Sequence, residues 1–275
     1  MSLSERIPSA NSIDGLPYPS GVTAGGVEFG LASVENFRDV AGPAEGYPTR
    51  DGSRVRRGLL YRSGELQLTD DDTLALVGLG LTAIHDLRSA DEVAAHPDAV
   101  VPGAAWRHFD VVGIPMDDLI DLTDEREATA LMDRVYRSFV DDARSRRAFG
   151  SALRRVAGQD GRQLLHCTTG KDRTGWAAAL LLHVAGVPDE VVVEDFLRSN
   201  ECARSSHRRY LTMVETALGA EMVPVYERVI LADERHLATA YAAVAASYGS
   251  LAGYLTGGLG LDDATLARLR ARLVG

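Results

Sequence analysis

Residues 164–175 read Leu-Leu-His-Cys-Thr-Thr-Gly-Lys-Asp-Arg-Thr-Gly. A short apolar run precedes the stretch and a longer one, Trp176 to Val187, follows it. A thiol, a lysine, an aspartate and an arginine therefore stand between two segments whose composition marks them as buried. Gln163 to His166 has the length of a brief strand, and Arg173 to Gly186 that of a buried helix. The loop between them thus lies at the carboxyl end of a strand and at a helix N-terminus. In α/β proteins ligands bind there, and free backbone N–H groups with the helix dipole favour an anion. The amides of Thr168, Thr169, Gly170, Lys171, Asp172 and Arg173 can wrap one phosphate, with Gly170 allowing the tight curvature.

Residue chemistry narrows the reading. Cys167 sits at the base of that cradle, in a positive field that favours the thiolate. Arg173 closes the cradle with a planar fork suited to two phosphate oxygens. Thr174 can donate its hydroxyl to the sulfur and later help it leave. His166 either fixes the loop and tunes the cysteine through hydrogen bonds or is a core residue. A nucleophile aimed at an immobilised phosphoryl group results, with amides and guanidinium stabilising charge. No metal or other cofactor is required. Cysteine, five residues, then Arg173-Thr174 is the spacing of the cysteine-dependent phosphatases. A Walker A loop is excluded: Asp172 occupies the Ser/Thr position, and Leu165 stands where the first glycine belongs. A structural cysteine at a turn would leave the adjacent charges and Arg173 unexplained.

The rest of the chain supplies the frame. Its 275 residues suffice for a sizeable core without disulfides or metals. A net charge of -10 argues against bulk attraction to nucleic acid or to an anionic membrane. The two cysteines, Cys167 and Cys202, form no disulfide framework and suit a reducing compartment. The first residues lack a secretory apolar core, and no apolar stretch is long enough to span a bilayer. A cytoplasmic protein is expected, with export by another route open and no stable membrane insertion.

Residues 1–30, rich in Ser, Gly and Pro, read as an arm, with Val27-Glu28-Phe29 a short strand within it. Strands are expected at Leu59–Tyr61, Leu81–Leu87 and Trp106–Val112. Helices are expected over Asp70–Leu79 (capped by Thr69, stopped by Gly80), Thr123–Arg144, Ser145–Ala157 and Pro188–Ser199. Beyond about residue 201 the pattern is wholly helical, through His207–Leu218, Tyr226–Tyr248 and Asp262–Leu273. Short strands alternating with helices predict an α/β fold: a mostly parallel central sheet flanked by helices. No linker divides residues 31–275, which read as a single domain.

From His166 to Gly175 the sequence resembles the phosphate loop of the bacterial atypical protein-tyrosine phosphatases. The similarity extends to Asn36-Phe37-Arg38-Asp39-Val40-Ala41-Gly42, to Arg57 through Ser63, to Asp86-Leu87-Arg88-Ser89, to Asp195 through Asn200 and to Tyr248 through Leu255. It implies a tyrosine-phosphatase-like fold with a C-terminal helical lid, placed at about residues 201–245. It also implies hydrolysis of phosphotyrosine through a phosphocysteine, releasing inorganic phosphate. Thr168-Thr169 depart from the family's secreted mycobacterial member, which carries other small or apolar residues there. Little loss is expected, since backbone amides do the binding.

Departure of the alcohol calls for a general acid. No Trp-Pro-Asp tripeptide is present, so three carboxylates compete. Asp172, inside the loop, leads and has the support of the resemblance; its alternative role is to complement the helix dipole. Asp86, at a strand end, is second, and a structural role for it is equally expected. Asp117 and Asp118, expected on a loop after a strand, are third. Lys171 is expected to add positive charge at the pocket rim. Loops reading Cys-x-x-Gly-Lys-x-Arg occur in phosphatases that also accept phosphoinositides, so phosphoserine, phosphothreonine or phosphoinositide substrates join phosphotyrosine. Arg62 and Arg88 either orient substrate or, more in keeping with such residues, brace the fold. Cys202 reads as a packed cysteine, a disulfide with Cys167 being the alternative. Two other functions share the cradle: a phosphate sensor without turnover, and a rhodanese-type sulfur transferase, against which the five-residue spacing and Asp172 argue.

Overall fold

The computed structural model describes residues 31–43 and 45–275; the arm and its expected strand lie outside them. Five strands form one sheet in the order β1-β2-β5-β3-β4. They are β1 (Arg38–Asp39), β2 (Leu60–Ser63), β3 (Leu81–Asp86), β4 (Ala105–His108) and β5 (Arg162–His166). Only β1 runs antiparallel to its neighbour; β2, β5, β3 and β4 pair in parallel. The parallel order follows from helical crossovers such as α1 (Asp70–Leu79), which Thr69 caps and Gly80 ends in a left-handed turn.

Alternation along the strands splits the core in two. Leu60 and Leu165 face the larger cluster, while their chain neighbours Tyr61 and Leu164 face a smaller one with Phe37, Leu76 and Ile84. The smaller cluster lies under α1. The larger is built from α4 (Glu125–Asp141), α5 (Ala143–Gly158), α6 (Asp172–Ala185) and the helices that follow. Two short helices precede these, α2 (Ala90–Ala95) and α3 (Met116–Ile120). After α6 come α7 (Asp189–Leu197), α8 (Ser199–Cys202), α9 (Arg204–Leu218), α10 (Val223–Ile230), α11 (Glu234–Tyr248), α12 (Leu251–Gly253) and α13 (Asp263–Leu273).

Several boundaries differ from the sequence-based expectation, each for a local reason. Strand β4 stops at His108, not Val112, because its partner β3 ends opposite, at Asp86. The helix expected over Thr123–Arg144 is shorter at both ends. Asp124 caps its start, and Asp142 takes extended backbone to cap the next helix. Tyr226–Tyr248 is two helices: the chain leaves α10 at Leu231 and Asp233 caps α11. Asp117 and Asp118 lie on α3 rather than on a loop.

Central strand β5 is flanked by β2 and β3, in a register that sets Ser63 and Asp86 beside His166. The loop after His166 therefore emerges between two strand ends.

Candidate active site

The loop Cys167–Lys171 is held from outside. Glu65 N donates to Thr168 O (3.0 Å), Asn36 Nδ2 to Thr169 O (3.1 Å) and Arg62 Nη2 to Gly170 O (2.8 Å). Three successive carbonyls are thus turned outward and satisfied. Among the described residues, no acceptor takes the amides of residues 168–173. They belong to the start of α6 and to the turn that leads into it, a geometry that suits an anion. Gly170 is obligatory: its φ is +67°, and a Cβ there would lie 2.3 Å from Ser63 O.

Asn36 and Arg62, with Arg38 and Asp195 behind them, lie in segments that carry the resemblance. Asp195 holds Arg62 (Nη1 to Oδ2, 2.8 Å), and Arg38 Nη2 donates to Asp195 O (3.0 Å). Tyr47 Oη also donates to Asp195 Oδ1 (3.1 Å). Burial pushes the Asp195 carboxyl up, but Arg38 and Arg62 outweigh it and hold the group low. Arg62 is therefore a brace, its guanidinium shared between Asp195 and the loop carbonyl.

Behind the loop lies a second charged group. Arg88 Nη2 meets Asp86 Oδ2 at 2.8 Å and Asp98 Oδ1 at 2.9 Å, and Arg88 Nη1 meets Glu65 Oε2 at 3.1 Å. His166 Nε2 lies 3.0 Å from Asp98 Oδ2, and its Nδ1 3.2 Å from Cys167 O. Burial alone would lower the imidazole's pKa, but Asp98 and Asp86 raise it above 6.5, which favours imidazolium. Asp86, Asp98 and His166 offer ligand atoms close enough to share a metal ion. The charge such an ion would supply already comes from Arg88 and His166. Asp86 is wholly buried, and both its oxygens accept from Arg88. A buried carboxylate with both oxygens engaged by a guanidinium has no open face to offer a leaving group. The expectation of acid catalysis from Asp86 therefore gives way to a bracing role, and Arg88 likewise braces the fold.

On the other side, Glu92 reaches the loop. Its Oε1 accepts from Arg173 Nη2 (2.7 Å) and from Thr168 Oγ1 (2.5 Å), and its Oε2 accepts from Arg173 Nη1. Burial pushes Glu92 up, but the Arg173 bonds and charge win and bring it down to about 2. The fork of Arg173 is thus orientated before any ligand arrives. Sequence reading passed over Glu92. Its visible signal was Ser89-x-x-Glu92, a capping box that starts α2.

Lys171 and Asp172 turn away from the position expected for the lysine. Lys171 is buried, and its Nζ donates to Val229 O (2.7 Å), at the end of α10, and lies 3.0 Å from Asp172 Oδ1. In this conformation it ties the phosphate loop to the helices beyond residue 200 and does not stand at the rim. Asp172 Oδ1 also accepts from Tyr136 Oη at 2.7 Å. Burial would raise this carboxyl, but Lys171 and Tyr136 hold it low. Burial and Lys171 together push His207 and His236 down to about 4. Thr174 Oγ1 is buried without a hydrogen-bond partner among the described residues, so the expected bond to sulfur is not made here. Asp118 pairs at 3.6 Å with Arg134 on the exposed surface. Cys167 and Cys202 are both free thiols, and both are buried.

Helix α9 lies over the loop. A cavity of about 40 Å³ is lined by Thr168 and Thr169 on one side and by Ser206, Arg209 and Tyr210 on the other. Cys167 is only 1% exposed. Among the described residues, no helix is long and apolar enough to cross a membrane.

Known proteins carry the same pattern. The model of the "Tyrosine phosphatase family" matches residues 29–275. The triple specificity protein phosphatase PtpB of Mycobacterium tuberculosis is 33% identical, over 89% of this chain and 98% of its own. A putative tyrosine-protein phosphatase of Cupriavidus necator is 34% identical over 85% of both chains. A tyrosine-protein phosphatase of Nostoc commune is 29% identical, over 88% of this chain and 87% of its own. Motif, cradle and overall likeness agree: the chain belongs to the tyrosine phosphatase family.

Proposed function

We propose that residues 31–275 form one catalytic domain that hydrolyses phosphotyrosine through a phosphocysteine on Cys167. The observation that carries this reading is the set of six unengaged amides, residues 168–173, beginning next to a cysteine and ending at a preorientated arginine. The sulfur of Cys167 attacks phosphorus, and the S–P bond forms as the ester P–O bond breaks. The amides and Arg173 take the equatorial oxygens. Asp172 gives its proton to the departing oxygen. Water then attacks phosphorus, the S–P bond breaks, inorganic phosphate leaves, and the water's proton returns to Asp172. The free site holds Asp172 ionised; the dianionic charge of a bound phosphate favours its protonation. His166 and Thr174 support the loop.

Residues of about 201–245 act as a lid in this reading, because the closed arrangement leaves Cys167 nearly inaccessible. Opening frees Lys171 from the carbonyls of Val229 and Leu231 (2.7 and 3.4 Å) and presents its ammonium to substrate. That supports a second activity on phosphoserine, phosphothreonine or phosphoinositides, in keeping with the triple specificity named for the mycobacterial relative. Two free buried cysteines suit action in the cytoplasm, export being an additional route.

A kinetic panel of phosphotyrosine, phosphothreonine and phosphoinositide substrates, on wild type and Cys167→Ser, tests the proposal. Phosphate release by wild type alone, with phosphate trapped on Cys167 in a single turnover, is the expected result. Full rate in Cys167→Ser, or binding without release in wild type, overturns it.

A further inference from the structure

The carboxyl group of Asp172 is divided between two environments. Its Oδ1 accepts both from Tyr136 Oη (2.7 Å) and from Lys171 Nζ (3.0 Å). Oδ2 has no donor among the described residues, and the side chain keeps 14% of its surface open. Tyr136 comes from α4, distant in sequence, and is wholly buried. Its ring is packed on three sides. It stacks on His236 (4.9 Å, 21°), tilts against Phe139 (5.1 Å) and meets Phe196 edge-on (6.2 Å). The hydroxyl is therefore a fixed point from which the carboxyl is held.

We infer that Tyr136 is a positioning residue for proton transfer, pinning Oδ1 of Asp172 together with Lys171 so that Oδ2 carries the proton to the leaving oxygen. The inference rests on the reading of Asp172 as general acid and assigns the atom that does the work. The proton leaves Oδ2 as the P–O bond breaks and returns to Oδ2 from water in the second half-reaction; Tyr136 keeps its own throughout. Burial, with the charge of Asp172 beside it, raises the phenol well above its ordinary value, so it remains a donor across the working pH range. A hydroxyl that donates to the ionised carboxylate also favours that form. Removing it should make Asp172 hold its proton to higher pH.

Tyr136→Phe keeps the ring packing and deletes only the bond. The measurement is kcat/KM for aryl phosphates with good and poor leaving groups, p-nitrophenyl phosphate and phenyl phosphate, across pH. The expected loss is on the order of tenfold for phenyl phosphate and under about twofold for p-nitrophenyl phosphate, with the alkaline limb moved to higher pH. An equal loss for both substrates, or an unmoved limb, would mean that the hydroxyl only stabilises the fold and would overturn the inference. Asp172→Asn serves as the reference. If it steepens the leaving-group dependence while Tyr136→Phe does not, the acid stands and the role of Tyr136 falls. If Asp172→Asn leaves the dependence as in wild type, the acid reading fails and takes the role of Tyr136 with it.

Discussion

Helices α6 and α9 are of similar length and meet the same site, yet they are built in opposite ways. Helix α6 buries 11 of its 14 residues, from Arg173 to Ala185, beneath the sheet and the helical layer. Helix α9 buries only His207 among its 15. The first carries the phosphate loop at its N-terminus and is fixed on all sides. The second rests on its neighbours by a partly covered stripe that includes Leu211 and Val214. Stabilisation scales with apolar area removed from water, so α9 can move at a cost that α6 could not meet. In the proposed reading, catalytic geometry is placed on the deeply buried element and access on the lightly anchored one.

Changes on the immobile side should produce the largest effects. Arg173→Lys keeps the charge but loses the fork that Glu92 orientates. Activity should fall on the order of a hundred- to a thousandfold, with a smaller drop in thermal midpoint as Glu92 loses its bidentate partner; a loss under tenfold would show that the fork is dispensable. Asp98→Asn removes a partner of both Arg88 and His166 in a buried group. It should cost about 3–5 kcal/mol in denaturant unfolding, and a cost below about 1 kcal/mol would contradict the buried pairing.

The pH dependence of stability sharpens the contrast, because its principal groups lie under the loop. His166 has a raised folded pKa, so its contribution is whole below 6.5 and fades as pH rises through that folded value. Glu92 is depressed to about 2, so its contribution is whole above 4.5 and is lost as pH falls from there through about 2. Urea unfolding from pH 3 to pH 9 should show both limbs. His166→Asn should flatten the alkaline limb and, because His166 holds Asp98 low, weaken the acid limb as well, whereas Glu92→Gln should weaken the acid limb alone.

The smallest effect belongs to the mobile side. Asn200 clasps the turn between α10 and α11, donating to Ala232 O (2.8 Å) and accepting from Ala232 N (2.7 Å). Asn200→Ala should cost about 1 kcal/mol locally. Amide exchange in residues 229–236 should quicken about fivefold, while β5 and α6 stay unchanged. Equal quickening in β5 would show that the two regions unfold as one.

Much of the immobile region was legible because its signals are local. A strand, a turn glycine, a cysteine, an arginine at a fixed offset and an apolar helix occupy one stretch of chain. Thr69 and Gly80 likewise announced the ends of α1. What escaped were partners brought in by tertiary structure. Glu92 reaches Arg173 from 81 positions away and Tyr136 reaches Asp172 from 36. Nothing in either short segment says where its other end will go. Lys171 was misplaced for a related reason: a lysine beside a phosphate loop suggests the ligand, and its nearest acceptors turned out to be carbonyls on α10 and just beyond it. The break at Leu231–Asp233 was hidden by an apolar pattern that runs on through both helices, although Asp233 was a cap in plain view.

Cys167 shows solvent only 1% of its surface. Any reagent, whatever its size, meets the sulfur only in the moments when the covering parts separate. Two chemically unlike alkylating agents, each in large excess, should therefore converge on a single limiting rate set by the protein's own breathing. That shared ceiling is a clock for the enclosure, and it can be read without a substrate.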